Sequence, residues 1–203
     1  MLFRSNKGLI IPPKVAPIQV IIIPIIFKGK EKEVLETCES LLHQLNKHNI
    51  RANIDKRDIT PGNKYYDWEL KGVPIRIEIG PRDLEKNEIV IVRRDNVEKT
   101  SILQNSSVDY IKKELDKISK ELFNNAKNFL QENVHREQDI ETASNIKGIV
   151  ELPWCGEENC AQKIENILDG NTLGEPIENN ICEHPCPICN KKAITWMRYA
   201  KTY

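Results

Sequence analysis

The chain has 203 residues and carries 30 basic and 30 acidic side chains, so its formal net charge is zero. This balance excludes recognition of nucleic acid through a broad positive field, so any such recognition has to depend on individually placed residues. The length allows one large domain or two small ones. The most apolar run, residues 18–27, is about ten residues long and contains Pro24, so it is too short to span a bilayer. Because no secretory signal is visible, we expect a folded cytoplasmic protein without a membrane partner.

Residues 18–105 predict an α/β domain with a mixed sheet, after a lead-in over residues 1–17. Residues 18–27 are a nearly continuous β-branched run, which is typical of a strand buried on both faces. Residues 30–49 repeat apolar side chains at helical spacing, and residues 50–54 alternate as a second strand. This strand–helix–strand order favours a right-handed parallel crossover.

The most distinctive stretch of the domain surrounds a short alternating strand over residues 75–79. Isoleucines there alternate with Arg76 and Glu78, so the isoleucines should face a core and the two charged side chains should face outward or into a site. The helix before this strand should bring Glu69 close to Arg76. This helix is predicted over residues 63–71 and is ended by Gly72, and a further strand is predicted over residues 88–93.

A long helical pattern follows, from residue 108 to about residue 138. Because this length is unusual for a globular helix, we expect a connecting helix over residues 106–140 that joins two folded units and has solvated polar faces. Residues 141–203 should then form a small α+β domain. It is predicted to contain a strand over residues 148–152, a helix over residues 161–168, a loop over residues 170–180 and a final strand from Ile194 onward.

Two pairs of cysteines dominate this last domain, Cys155-x4-Cys160 and Cys186-x2-Cys189. Thiolates at these spacings converge on one tetrahedral Zn²⁺, because a tight knuckle places two sulfurs on the same side of a turn. Four sulfur ligands leave no open position, so the zinc would be structural. A redox-active pair and disulfides are the alternatives; the first would need a thioredoxin-like context that is missing, and the second is disfavoured in the cytosol.

The choice of the four ligands stays open on spacing alone. Cys182 and His184 lie just before the second pair, and either could replace one ligand. Cys38, by contrast, keeps the apolar spacing of its helix and should be a buried core residue.

Several motifs resemble one known family. The first is Gly62-x-Lys64, followed by Trp68-Glu69-Leu70-Lys71-Gly72-Val73-Pro74, Arg76, Glu78 and Gly80-Pro81-Arg82-Asp83. It resembles the anticodon-binding domain of class II aminoacyl-tRNA synthetases, with the best fit to prolyl-tRNA synthetases of the archaeal and eukaryotic type. The cysteine pieces resemble the carboxy-terminal zinc domain of the same group, which favours Cys155, Cys160, Cys186 and Cys189 as the ligands. Asn190 stands where the family commonly has glycine.

The resemblance implies that the chain is the carboxy-terminal portion of a proline–tRNA ligase, which joins proline to its tRNA with ATP. The class II catalytic signatures are not found, so the chain alone should not activate proline, and ATP would be bound only by a catalytic domain outside it. The lead-in over residues 1–17 would connect to that domain. The implied partners are proline tRNA and the catalytic domain of the same enzyme, in a homodimer, with no DNA.

The family also implies which residues read the anticodon, which for proline contains two guanines. Guanine presents acceptors at O6 and N7 and donors at N1 and N2, so a site for it should combine cationic side chains with carboxylates. The positions that match the family are Glu69, Arg76, Arg82, Asp83 and Lys99. The candidates for contact with phosphates are Lys56, Arg57 and Lys64, whereas Trp68 is expected to pack. By the same resemblance, the terminal carboxylate of Tyr203 points toward the catalytic domain.

Two other functions are compatible with the same residues. The chain could be a free-standing tRNA-binding module that acts in trans, or a zinc-stapled structural domain that docks on a catalytic partner. A continuous reading frame with class II signatures upstream would argue against the first alternative. Binding that depends on the anticodon would argue against the second.

Overall fold

A computed structural model describes residues 4–5, 8–177 and 181–201 of the chain. The chain divides into two compact units, Met1–Asn124 and Asn125–Tyr203. Within the described ranges, no helix is both long enough and apolar enough to cross a membrane.

The first unit is built on a five-stranded mixed sheet. The elements of this unit, in chain order, are β1 (Arg4–Ser5), β2 (Gly8–Leu9), β3 (Val20–Pro24), α1 (Glu31–Lys47), β4 (Ala52–Ile54), α2 (Pro61–Lys71), β5 (Ile75–Ile79), α3 (Pro81–Glu85), β6 (Glu88–Arg93), β7 (Lys99–Leu103) and the first part of α4 (Ser107–Glu132). The strand order in the sheet is β4-β3-β5-β6-β7, with β3 parallel to both β4 and β5 and the remaining pairs antiparallel. The predicted α/β mixed sheet and the parallel crossover are confirmed.

Strand β3 lies between two neighbours and is buried over all five of its residues. This burial explains why its sequence is β-branched throughout instead of alternating. One face of the sheet is covered by α1, which buries Val34, Cys38, Leu41 and Leu45 in the main core. The predicted core position of Cys38 is confirmed, and burial raises the pKa of its thiol to about 12.

Helix α2 ends at the predicted glycine. Gly72 has φ of 72°, in the left-handed region, and its N–H donates to the carbonyl of Glu69. A Cβ at this position would also lie 2.7 Å from the Cβ of Leu9. Both the backbone conformation and the close approach of β2 therefore require glycine at the turn into β5.

Helix α4 corrects the sequence prediction in two respects. It ends at Glu132, before the predicted end near residue 138, and the chain then enters a strand. Its first half is also part of the first unit and not only a connection, because Ile111, Leu115 and Ile118 are buried in the core of that unit. The boundary between the two units falls inside this helix, after Asn124.

The second unit contains a four-stranded sheet with two short helices. After α4 its elements are β8 (Val134–Arg136), α5 (Ile140–Ser144), β9 (Ile149–Trp154), α6 (Glu158–Leu168), β10 (Asn171–Gly174) and β11 (Thr195–Ala200), in the strand order β10-β11-β9-β8. Its core joins Val150 and Leu152 of β9 with Ile164 of α6 and Tyr199 of β11. The predicted loop over 170–180 was wrong at its start, where β10 pairs with β11.

Candidate functional site

Four of the polar residues near the alternating strand form one connected cluster. The guanidinium of Arg76 donates from Nη1 to Oε1 of Glu69 at 2.9 Å and from Nε to Oε1 of Glu78 at 3.1 Å. The other oxygen of Glu78 accepts a hydrogen bond from Nζ of Lys99 at 2.8 Å. Two cations and two carboxylates therefore alternate in a single chain of ion pairs, which we call the Arg76 cluster.

Three elements supply the Arg76 cluster. Arg76 and Glu78 lie two residues apart on β5 and so share one face of the sheet. Glu69 comes from the last turn of α2, and Lys99 reaches across β6 from the start of β7. The predicted proximity of Glu69 and Arg76 is confirmed.

Exposure divides the Arg76 cluster into a buried and an accessible part. The side chain of Glu78 is 6% exposed and that of Arg76 is 12% exposed, whereas Glu69 and Lys99 are 28% and 58% exposed. Tyr65 of α2 adds to the buried part, because its ring stacks against the Arg76 guanidinium at 4.1 Å. The accessible members of the cluster are therefore Glu69 and Lys99. They are held in place by the buried part, which consists of Arg76, Glu78 and the ring of Tyr65.

A small cavity next to Glu69 and Arg76 limits where a ligand can bind. It has a volume of about 20 Å³ and is also lined by Trp68, Val92 and Arg94. This space suits a single water molecule and excludes a nucleobase. This cavity is therefore not the place where a base would bind.

The structure does not bring Arg82 and Asp83 into the Arg76 cluster. Both lie on the short helix α3, where the carboxylate of Asp83 accepts the N–H of Gly80 at 2.8 Å and so caps the helix. Arg82 is exposed and makes no ion pair with any residue in the described part of the chain. Its guanidinium is available to a ligand, whereas Asp83 already has a structural task.

A second polar network accounts for other residues of the signature. The buried carboxylate of Asp55 accepts hydrogen bonds from Nε1 of Trp68 at 2.7 Å and from Nε and Nη2 of Arg57 at 3.0 and 2.7 Å. Lys64 is 4% exposed and donates to the backbone carbonyl of Asp55 at 3.0 Å. The interpretation of Lys64 as a phosphate contact was therefore wrong, because its ammonium group is buried.

The hydrogen bonds around Asp55 set its titration. Burial acts to raise the pKa of this carboxyl, but the donors of Arg57 and Trp68 outweigh burial and hold the pKa well below its usual range. The ionised carboxylate thus fixes Trp68 of α2 to the end of β4, while Lys64 ties the first turn of α2 to the backbone carbonyl of Asp55. This network positions the helix that carries Glu69.

The four paired cysteines of the second unit meet at one point. The Sγ atoms of Cys155, Cys160, Cys186 and Cys189 all lie within 4.8 Å of one another, and those of Cys155 and Cys189 are 3.6 Å apart. A tetrahedral thiolate site with Zn–S bonds of about 2.3 Å has sulfurs about 3.8 Å apart. The geometry therefore fits a metal ion bound by four sulfurs.

The chemistry of the thiols leads to the same conclusion. Burial raises the pKa of Cys155 and of Cys160, the latter to about 12, whereas a hydrogen bond from the backbone N–H of Lys191 lowers the pKa of Cys189 to about 7. Four neighbouring thiolates repel one another and cannot all ionise in a partly buried site without a cation. A metal ion would offset this repulsion, so the four sulfurs could bind one together.

The local backbone supports the knuckle. Asn190 has φ of 58°, so asparagine adopts the left-handed conformation for which glycine is the usual residue.

Cys182 and His184 do not join the four thiols. The Sγ of Cys182 faces the carbonyl of His184 at 3.9 Å, and the imidazole of His184 contacts Gln138 and the ring of Trp196.

Sequence reasoning did not include Glu78 among the residues that read the anticodon, and it did not predict that Tyr65 stacks on Arg76. The alternation of β5 was a signal for Glu78, since it places Glu78 on the same face as Arg76. No local pattern indicates that Tyr65 stacks on Arg76, because that contact depends on how α2 packs on the sheet. Tyr203, for which a role of the terminal carboxylate was predicted, lies outside the described residues.

Comparison with known proteins gives both parts of the chain the same family. A model of the anticodon binding domain matches residues 19–114, and a model of the carboxy-terminal domain of prolyl-tRNA synthetase matches residues 138–203. The chain is 43% identical over 207 residues to the proline–tRNA ligase of Thermococcus kodakarensis, and this similarity covers 98% of the chain. The chain belongs to the prolyl-tRNA synthetase family. Each match covers 43% of the relative, so the chain spans less than half the length of the curated synthetases that it resembles.

Other prolyl-tRNA synthetases give similar values. The chain is 41% identical over 207 residues to the proline–tRNA ligase of Pyrococcus abyssi and 41% identical over 206 residues to that of Saccharolobus islandicus, with 98% of the chain covered in both. The Arg76 cluster lies in the part that matches the anticodon binding domain, and the four thiols lie in the part that matches the carboxy-terminal domain of the synthetase.

Proposed function

We propose that the chain recognises the anticodon of proline tRNA as the carboxy-terminal portion of a proline–tRNA ligase. The observation that carries this proposal is the Arg76 cluster, in which Glu69 and Lys99 are the accessible ends of one chain of ion pairs on the domain that matches the anticodon binding model. A carboxylate next to a cation complements the donors at N1 and N2 and the acceptors at O6 and N7 of guanine. The anticodon of proline tRNA supplies two such bases in a loop, where both edges are accessible.

The members of the Arg76 cluster have different tasks in this proposal. Glu69 and Lys99 contact the base, because they are the accessible members. Arg76 orients Glu69, and Glu78 orients Lys99, through the ion pairs of the cluster. Arg82 is a further contact of the tRNA loop, and Asp83 supports it by capping α3.

The proposal extends to the whole enzyme. The joining of proline to tRNA with ATP belongs to a catalytic domain of the same enzyme, which acts in the cytoplasm as a homodimer. Support for the ligase activity comes from the relatives, which are proline–tRNA ligases of more than twice the matched length.

The proposal is tested by measuring the affinity of the chain for two tRNAs at one fixed salt concentration. The first is proline tRNA, and the second is the same tRNA with its two anticodon guanines replaced. Each lost guanine should cost about 1–3 kcal/mol of binding free energy. Equal binding to both tRNAs would contradict anticodon reading and favour a structural docking domain. Full anticodon discrimination by the isolated chain would also leave room for a module that acts in trans.

We further propose that the four thiols hold a structural Zn²⁺. Tetrahedral sulfur coordination suits zinc and leaves no open position for a substrate. The ion would tie the end of β9 and α6 to the knuckle before β11, since Cys155 directly follows β9, Cys160 lies in α6 and the other two cysteines form the knuckle. Elemental analysis of the purified chain should find one zinc per chain, and iron in its place would contradict the assignment.

A further inference from the structure

A second charged cluster lies in the unit that holds the four thiols. Glu151 of β9 is 3% exposed and lies between Arg136 of β8 and Arg198 of β11, which are its partners in register on the two neighbouring strands. Arg136 donates from Nε and Nη2 to Oε2 at 3.0 and 2.7 Å, and Arg198 donates from Nε to Oε1 at 2.9 Å. One buried carboxylate thus holds two arginines in a row across three strands.

Neither arginine uses all of its N–H donors in this arrangement. Nη1 of Arg136 and both Nη atoms of Arg198 make no hydrogen bond within the described part of the chain. The guanidinium of Arg136 is also fixed from one side, because it stacks on the ring of Trp196 at 4.6 Å. Both side chains remain 44% and 33% exposed. Their free N–H groups are therefore pre-oriented and accessible to a ligand.

These arginines line a groove of about 410 Å³, which is a volume typical of sites for small molecules. Lys127 and Gln131, from the end of α4, line the same groove. Three cations against the single carboxylate of Glu151 leave a formal charge of +2. A phosphate monoester carries about −1.5 to −2 at neutral pH, whereas a carboxylate or a phosphodiester carries only one negative charge.

The remaining wall of the groove is apolar. Leu130, Val134 and Pro176 line it. The ligand should therefore join a doubly charged head to an apolar body. We propose that this groove binds a small phosphate monoester with an apolar substituent, with the phosphoryl oxygens on Lys127, Arg136 and Arg198. This site is independent of the Arg76 cluster, so it does not depend on anticodon recognition.

Titration of the full chain with phenyl phosphate at constant ionic strength tests the proposal by NMR. The backbone amides and the arginine Nε–H signals of Arg136 and Arg198 should shift and saturate, at lower concentrations than with inorganic phosphate or benzoate. The substitutions Lys127→Gln and Arg198→Gln should each weaken phenyl phosphate binding about tenfold. Lys163→Gln, which removes an exposed cation from α6 in the same unit, should leave binding unchanged.

Three results would overturn the proposal. Benzoate could saturate the same signals at equal concentration, which would show that charge matching is not the basis of binding. Lys163→Gln could cost as much as Lys127→Gln, which would show only diffuse attraction. A short RNA oligonucleotide could shift these signals at lower concentrations than phenyl phosphate, which would make the groove an RNA surface. The Arg198→Gln variant retains Arg136 as the partner of Glu151, so binding can be measured on a folded chain.

Discussion

At the scale of single residues, the roles of the charged side chains follow from how many partners each one has. Lys64 has one buried acceptor and serves the fold, although its place in a family signature first suggested contact with RNA. Among the described residues, the carboxylate of Glu69 accepts a hydrogen bond from Arg76 and remains 28% exposed, so it can also bind a ligand. Burial distinguishes these two cases, whereas residue type alone does not.

Replacing Glu69 by alanine should weaken binding of proline tRNA about tenfold, because one carboxylate contact to guanine is lost. On tRNA whose anticodon guanines are replaced, the same substitution should have little effect, since the contact is already absent. Affinities for the four combinations of protein and tRNA form a double-mutant cycle that measures this coupling. Glu85→Ala, at an exposed position of α3, is the matched control. Equal losses on both tRNAs would mean that Glu69 acts only on the fold.

Asp55 should make the first unit sensitive to acid. Its folded-state pKa is depressed, so its contribution to stability is complete above the unfolded pKa of about 3.9 and is lost as the pH falls toward the folded value. Asp55→Asn should therefore lower the free energy of unfolding by about 2–3 kcal/mol at pH 6. The difference between wild type and variant should shrink steadily below about pH 4.

Urea denaturation at several pH values, followed by the fluorescence of Trp68, Trp154 and Trp196 and by circular dichroism, measures this difference. Asp58→Asn removes a neighbouring exposed carboxylate and should have almost no effect at any pH. A difference between wild type and Asp55→Asn that does not change with pH would contradict the assignment.

At the scale of elements, the best predicted parts are those whose pattern is decided by burial on one or both faces. Strands β5 and β6 begin and end at the predicted residues. Strands β7 and β10 were missed, since Lys-Thr-Ser-Ile-Leu and Asn-Thr-Leu-Gly are short, polar and at sheet edges, where pairing and not composition makes the strand. The position of Lys99 next to Glu78 follows from the register of β6 and β7, so local sequence could not reveal it.

Helix α4 should be anchored to the sheet by one arginine. Arg93 of β6 is buried and pairs with Asp95 and with Glu114 and Glu121 of α4. Arg93→Met would leave these carboxylates without a cation, so the first unit should lose about 3–5 kcal/mol of stability. Urea denaturation should show this loss for Arg93→Met and none for Lys113→Met, which removes an exposed cation from the same helix. A loss below about 1 kcal/mol would mean that solvent replaces the arginine.

At the scale of the whole molecule, the two units have cores of different kinds. The first has a large cluster of isoleucine, leucine and valine side chains, whereas the second has a smaller apolar core and the four thiols. A small domain with a limited core commonly depends on a metal ion for its stability. The stability of the second unit should therefore depend on metal and that of the first should not.

Removal of the metal with a strong chelator under reducing conditions should separate the two units. Hydrogen exchange should speed up at amides of β9, α6 and β11, while β3 and β5 keep their protection. Restoring Zn²⁺ should restore protection in the second unit. If chelation left β9 and β11 protected, the thiols would not staple this unit, and if it exposed both units equally, the stability of the first would also depend on the metal.

The position of β3 at the centre of its sheet has a consequence for how the chain misfolds. Residues 18–23 are the segment most prone to assemble into cross-β structure, because these six residues before Pro24 combine high β propensity with no charge and no proline. In the folded state both edges of β3 are occupied by β4 and β5, and the outer edge at β7 carries Lys99 in place of an apolar row. Aggregation should therefore begin only from chains whose first unit has opened, and variants that weaken this unit should aggregate sooner, whatever the state of the thiols.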